Sequence, residues 1–124
     1  MLYSTYISNI KNLSEEQQSQ VLNIARYFKS DKFKKDIRLS PSDGLLKAYK
    51  NGVINWDDFE IEFKKQMTSG FTLTAMRELY KRLKNGENII LVCYEKDYTY
   101  CHRRLIGEFL MQYGIEYQEL PVKA

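Results

Sequence analysis

The hydrophobic pattern of the chain is most informative in its last third. The continuous apolar run Ile89-Ile-Leu-Val-Cys93 lacks polar alternation and is β-branched at three positions, which predicts a strand buried on both faces. After a polar turn, apolar residues recur at helical spacing as far as Gly114, namely Leu105, Ile106, Phe109, Leu110 and Tyr113. The pattern predicts a strand, a loop and a helix. In open α/β sheets, ligands bind at this end of a strand.

Shorter segments near the two ends of the chain also have the composition of strands. Residues 2–7 are β-branched and aromatic, which predicts a first strand. Residues 115–120 predict a last strand, which Pro121 stops.

The apolar residues between Gln20 and Phe28 fit two different structures. Ser14 and Gln17 form a plausible capping box, which favours a helix. The same apolar residues also fit a short strand that ends near Arg26, and periodicity alone does not decide between the two.

Three helices are predicted in the middle of the chain. Ser40 is the expected N-cap of the first, which Asn51-Gly52 ends. Asn55 is the expected cap of the second, and Ser69-Gly70 separates it from a third that ends at Asn85-Gly86. These elements predict an α/β, Rossmann-like single domain over residues 1–124, with a small, mostly parallel sheet of about four strands and helices on its faces.

Composition and charge narrow the class of protein. With 124 residues, 44% hydrophobic and 28% charged, the chain is an ordinary globular domain, and no apolar run approaches the length of a membrane span. The amino terminus lacks the pattern of a secretory signal, so we expect a cytoplasmic protein without a membrane partner.

The net charge of +3 is mild. Residues 29–39 form a basic connecting segment. Its lysine cluster, Lys29–Lys35, fits a solvated loop, with a nucleic-acid patch as the alternative.

The residues with candidate catalytic or ligand-binding side chains lie at the start of the last helix. There Cys101, His102 and Arg103 would lie beside free backbone N–H groups, an environment that favours an anion and an ionised thiol. Cys101 could act as a nucleophile, His102 could transfer a proton near neutral pH, and Arg103 could clamp a phosphate. The plainer alternative is that Cys101 packs, His102 caps the helix and Arg103 pairs with Glu95 or Asp97.

Other residues of the strand–helix loop complete the predicted site. Glu95 could be a general base and Lys96 could hold a phosphate. Cys93, Cys101 and His102 are residue types that bind zinc. The sequence has no Cys-x-x-Cys and no second histidine, however, so we expect neither a metal nor a cofactor. A disulfide between the two cysteines is possible across the loop, although a reducing cytoplasm disfavours it.

The same residues carry a family resemblance. Leu91-Val-Cys-Tyr-Glu-Lys-Asp followed by Cys101-His-Arg resembles the signature of the domain-of-unknown-function-488 family, a strand with Cys-x-Glu-Lys and then Cys-His-Arg opening a helix. The resemblance implies a compact α/β domain and a strand ending at Arg26. Family members tend to have a proline soon after that arginine, where this chain has Tyr27-Phe28-Lys29. The family has no established activity.

Three hypotheses for function follow. The first is an enzyme acting on a phosphate-bearing small molecule or nucleotide. The second is a non-catalytic nucleotide or nucleic-acid binding module, and the third is an ion-pair network with a purely structural role. For the enzyme we expect catalytic roles for Glu95, Cys101 and His102, and substrate binding by Arg26, Cys93, Lys96 and Arg103. The sequence predicts no oligomeric state.

Overall fold

The computed structural model describes residues 1–121, and over that range the strands form one five-stranded parallel sheet in the order β3-β2-β4-β1-β5. The strands are β1 (Leu2–Tyr6), β2 (Val21–Asn23), β3 (Lys34–Lys35), β4 (Ile89–Cys93) and β5 (Tyr117–Glu119). The α/β prediction is confirmed. The sheet has one strand more than expected, because part of the basic connecting segment pairs with β2 as β3.

Five α-helices connect the strands: α1 (Glu15–Ser19), α2 (Asp43–Lys50), α3 (Trp56–Met67), α4 (Gly70–Lys84) and α5 (His102–Met111). Short 3-10 helices occupy Ile7–Asn12, Ile37–Leu39 and Tyr98–Tyr100. No helix among these described residues is long and apolar enough to cross a membrane.

The central strand β4 is buried on both faces, as its unbroken apolar run predicts. Ile89 and Leu91 contribute to the larger core, which they share with the buried residues of α3, α4 and α5. Ile90 and Val92 join a smaller cluster on the other face with Ile10, in the connection between β1 and β2. The β1–β2 connection and the β4–β5 connection run across the sheet in opposite directions. Right-handed crossovers place such connections on opposite faces.

The ambiguous segment contains both a helix and a strand. Ser14 and Gln17 do form a capping box, with N···O distances of 3.1 and 2.9 Å, but it starts only the short α1. Strand β2 follows and ends at Asn23, so the expectation of a strand reaching Arg26 is wrong by three residues. The Asn23 side chain ends the strand, because it bonds the N–H of Ala25 and the carbonyl of Phe28 in place of a neighbouring strand.

Of the three predicted N-caps, the one at Ser40 is misplaced by two residues. Ser42, not Ser40, caps α2 by accepting from the N–H of Leu45 at 3.3 Å. Ser40 is fully buried and donates instead to the carbonyl of Ile24 at 2.7 Å, which ties the start of α2 to the end of β2. The predicted cap of α3 is confirmed, because Asn55 accepts from the N–H of Asp58 at 2.9 Å.

Candidate functional site

A cleft of about 300 Å³ opens at the carboxyl ends of β2 and β4. Helices α2 and α3 and the start of α5 close its other sides. Its walls are largely aromatic and are formed by Tyr27, Tyr49, Trp56, Phe59, Tyr94 and Tyr100. Three charged residues, Arg26, Lys50 and Glu95, also line it. The position agrees with the expectation that the site lies where the central strand ends.

Two sulfurs and an imidazole form the floor of the cleft. Cys93 ends β4, Cys101 precedes α5, and the two are joined as a disulfide. The ligand atoms of Cys93, Cys101 and His102 all lie within 4.8 Å of one another, and all three residues are buried. In the disulfide form Cys101 carries no thiolate, so its predicted role as a nucleophile requires the reduced protein.

His102 is held in one orientation by the end of β2. Its Nε2 lies 2.8 Å from the carbonyl oxygen of Ile24, which can only accept, so Nε2 carries the proton. Its Nδ1 is therefore the unprotonated nitrogen, and it faces Cys101 Sγ at 3.8 Å. Burial lowers the pKa of His102 to about 4, with smaller contributions from the charges of Arg103 and Lys50. The ring is thus neutral at pH 7, and the predicted proton exchange near neutral pH does not fit this environment.

Arg103 lies behind the floor and does not line the cleft. The side chain is fully buried, and Nε and Nη2 bond the two carboxylate oxygens of Glu119 at 3.0 and 2.9 Å. Its remaining N–H groups reach Cys93 Sγ at 3.0 Å and the carbonyls of Glu95 and Lys96 at 2.5 and 3.3 Å. The expectation that Arg103 clamps a substrate is not met by this placement. An ion pair does form, but its partner is Glu119 on β5 and not the side chain of Glu95 or Asp97.

Glu119 is in turn fixed by hydroxyl groups. Ser4 Oγ donates to Glu119 Oε1, so the Tyr117 hydroxyl at 2.6 Å must donate to Ser4. Burial, the largest influence, raises the pKa of Tyr117 to about 12, so it remains a donor. The ion pair and these hydroxyls form one buried polar network across β1, β5 and α5.

Lys96 also lies outside the cleft, contrary to its predicted role. It is exposed and lines a separate groove with Asp97, Tyr98 and Glu119. Asp97 accepts from the N–H of Thr99 at 3.0 Å, and this bond lowers the pKa of its carboxyl. Asp97 therefore caps the 3-10 helix that follows it.

The remaining predicted residues do line the cleft. Glu95 is ion-paired with Lys50, a residue that sequence reasoning missed because it is the last residue of α2 and has no motif around it. Arg26 donates from Nε to the carbonyl of Pro41 at 2.7 Å. Among residues 1–121 its two terminal nitrogens make no hydrogen bond, so they are available to a ligand.

The aromatic wall is a connected cluster. Trp56 stacks on Phe59 at 5.1 Å between ring centroids, and its edge meets Tyr49 and Tyr100 at 5.7 and 5.8 Å. Trp56 packs against the core and also lines the cleft.

The fold and the site together define a parallel α/β domain with a cleft over a cysteine–histidine floor at the strand ends. The sequence profile of the DUF488-N3a family, described as the active DUF488-N3 subclade, matches residues 5–114. The chain therefore belongs to the domain-of-unknown-function-488 family. Neither a curated protein nor a solved structure matches it significantly.

Proposed function

We propose that the protein is an enzyme acting on a nucleotide or a similar phosphate-bearing small molecule bound in the cleft. The observation that best supports this proposal is that the cleft combines two sets of functional side chains. A floor of Cys93, Cys101 and His102 lies beneath a rim that carries Arg26, Lys50 and Glu95. Enzyme sites collect groups of this kind in clefts, whereas surfaces that only bind do not need them.

The cleft has the size and lining that such a ligand requires. Its volume lies at the small end of the range of about 300–1,000 Å³ found for ligand pockets. Exposed rings on its walls, Tyr94 and Tyr27 among them, offer faces for a planar base, and such stacking contributes about 1–3 kcal/mol per base. Arg26 and Lys50 supply the positive charge for a phosphate.

Two groups can act on the bound substrate. Glu95 can accept a proton once a ligand anion displaces its carboxylate from Lys50. His102 can accept a hydrogen bond at Nδ1, because Nε2 is committed to Ile24. In the reduced protein Cys101 adds a thiol to the same floor.

A binding assay with matched variants tests whether the cleft binds such a ligand. Tyr94 and Tyr113 are 57% and 55% exposed, but only Tyr94 lines the cleft. In a calorimetric screen of nucleoside mono- and diphosphates, nucleosides and inorganic phosphate, wild type should bind at least one phosphate-bearing compound. Tyr94→Ala and Arg26→Ala should weaken that binding about tenfold, or about 1.4 kcal/mol, while Tyr113→Ala binds as wild type does. Binding by no compound, or equal loss in Tyr113→Ala, would refute the proposal.

A nucleic-acid ligand is the second candidate, since the basic segment adjoins the cleft. Lys35 Nζ donates to the carbonyls of Arg26 and Phe28, both at 2.9 Å. Burial, followed by the charges of Lys29 and Arg26, lowers the pKa of Lys35, so several cations share this edge. A single-stranded oligonucleotide held here would show log affinity falling linearly with log salt. Absent or salt-insensitive binding would eliminate this candidate.

A further inference from the structure

We propose that Cys93, Cys101 and His102, in the dithiol form of the protein, bind a zinc-like metal ion whose open coordination position faces the cleft. The inference does not depend on which ligand the cleft binds, because the three residues would hold the ion by themselves.

The ligand atoms of the three residues lie close together in the structure. They lie within 4.8 Å of one another, on residues that are 8% exposed or less. Cys₂His is an established ligand set for catalytic zinc, with the fourth position left to water or substrate. Since all three residues line the cleft, a ligand in the cleft can reach that position.

The hydrogen bond of His102 to the backbone prepares the ring for a metal. Metal-binding histidines almost always donate their second ring N–H to a carboxylate or a carbonyl, which fixes the tautomer. His102 Nε2 donates in this way to the carbonyl of Ile24 at 2.8 Å, so the lone pair of Nδ1 is left free on the side that faces Cys101 Sγ.

The backbone spacing of the cysteines favours an inserted ion over a direct bond. Their Cα atoms are 7.6 Å apart, whereas disulfides usually span about 4.4–6.8 Å. Two sulfurs bound to one tetrahedral ion at about 2.3 Å each lie about 3.8 Å from one another. A disulfide holds them at about 2.05 Å. The longer sulfur–sulfur distance across an ion therefore suits the wider Cα spacing better than a direct bond does.

Arg103 supports the thiolate that a metal needs. Its guanidinium lies 3.0 Å from Cys93 Sγ, and a nearby cation favours ionisation of a thiol. Glu119 balances the charge of Arg103, so the pair adds little net repulsion toward a cation. On binding, the two thiol protons leave to solvent while two sulfur–metal bonds and one nitrogen–metal bond form.

The test uses the metal alone. Protein reduced anaerobically with a phosphine, which is then removed, is titrated with Co²⁺ as a spectroscopic probe and with Zn²⁺ against a chromophoric chelator. We expect one ion per chain and thiolate-to-cobalt charge-transfer absorption. Cys101→Ser should lower zinc affinity by more than about 100-fold, because outer-shell changes alone cost about 10–100-fold.

Wild-type protein kept as the disulfide is the folded control, since it retains every residue but offers no thiolate. It should show no charge-transfer band. Reduced wild type that is folded by circular dichroism yet shows no such band would overturn the proposal. Equal zinc affinity of the reduced and disulfide forms would overturn it as well. No nucleotide is present, so the outcome is separate from that of the ligand screen.

Discussion

At the scale of single residues, the buried ion pair of Arg103 and Glu119 determines how the site is held. Arg103 makes five hydrogen bonds to β5, to the loop after β4 and to Cys93. It thereby fixes the floor of the cleft from behind without touching a ligand.

Removing Arg103 should therefore cost stability. Arg103→Ala leaves the largely buried carboxylate of Glu119 without its charged partner, and we expect a loss of about 3–5 kcal/mol in the free energy of unfolding. Denaturant unfolding measures it. The control is Arg77→Ala, at an exposed position on α4, which should change stability by less than about 0.5 kcal/mol. A cost below about 1 kcal/mol for Arg103→Ala would contradict the assigned role.

Gly107 provides a second prediction at this scale. A Cβ at Gly107 would lie 2.5 Å from the ring of Tyr117, whereas a Cβ at Gly44 would meet nothing within 4 Å. Both residues are helical, so Ala should be favoured by propensity at each. We expect Gly107→Ala to destabilise by about 1–3 kcal/mol and Gly44→Ala to stabilise by about 0.4–1 kcal/mol.

Thermal unfolding of the two variants distinguishes close packing from propensity. In a protein that already carries Tyr117→Ala, the Gly107→Ala substitution should cost little stability, since the opposing ring is gone. A stabilising Gly107→Ala, or no rescue in the double variant, would contradict the close contact of α5 with β5.

Residue types predicted which residues line the cleft better than the role of each side chain. Cys93, Glu95, Cys101 and His102 do line the cleft, because a strand end and a helix start converge there whatever the details. Arg103, at the start of α5, looked like a ligand-binding residue because its partner Glu119 lies 16 residues away on β5. No local sequence pattern predicts an ion pair across that distance.

At the scale of elements, the end of β2 positions one wall of the cleft. Asn23 is buried, and its amide bonds both Ala25 and Phe28, so it turns the chain at the point where Arg26 enters the rim. Periodicity left a helix and a strand open here, and the family resemblance implied a strand ending at Arg26. The end at Asn23 was missed, because an asparagine inside an apolar run fits a strand or a turn equally well.

Asn23→Ala should therefore affect both stability and ligand binding. Leaving the buried partners of the amide unpaired costs about 1–3 kcal/mol, and the shift of Arg26 should weaken phosphate binding. Asn85→Ala, at the exposed end of α4, should change stability by less than about 0.5 kcal/mol and leave binding intact. Denaturant unfolding and calorimetry on both variants measure the two effects. Full stability in Asn23→Ala would show that the turn forms without the amide.

At the scale of the whole molecule, the α/β class followed from periodicity because β4 lacks alternation while α3, α4 and α5 each keep an apolar face. Strand β3 did not follow, because its two exposed lysines have no strand-like pattern and pair with β2 only once the sheet exists. Long-range pairing determined both this strand and the partner of Arg103.

We propose that the cleft at the ends of β2 and β4 is the place where the protein binds a phosphate-bearing ligand. Amide chemical-shift mapping during titration of isotope-labelled protein with a nucleoside monophosphate tests it most directly. We predict saturable shifts concentrated at residues 25–27, 94–95 and 100–102, which line the cleft. Saturable shifts concentrated instead on Leu73, Tyr80 and Tyr113, in the groove between α4 and α5, would contradict it. The absence of any saturable shift would contradict it equally.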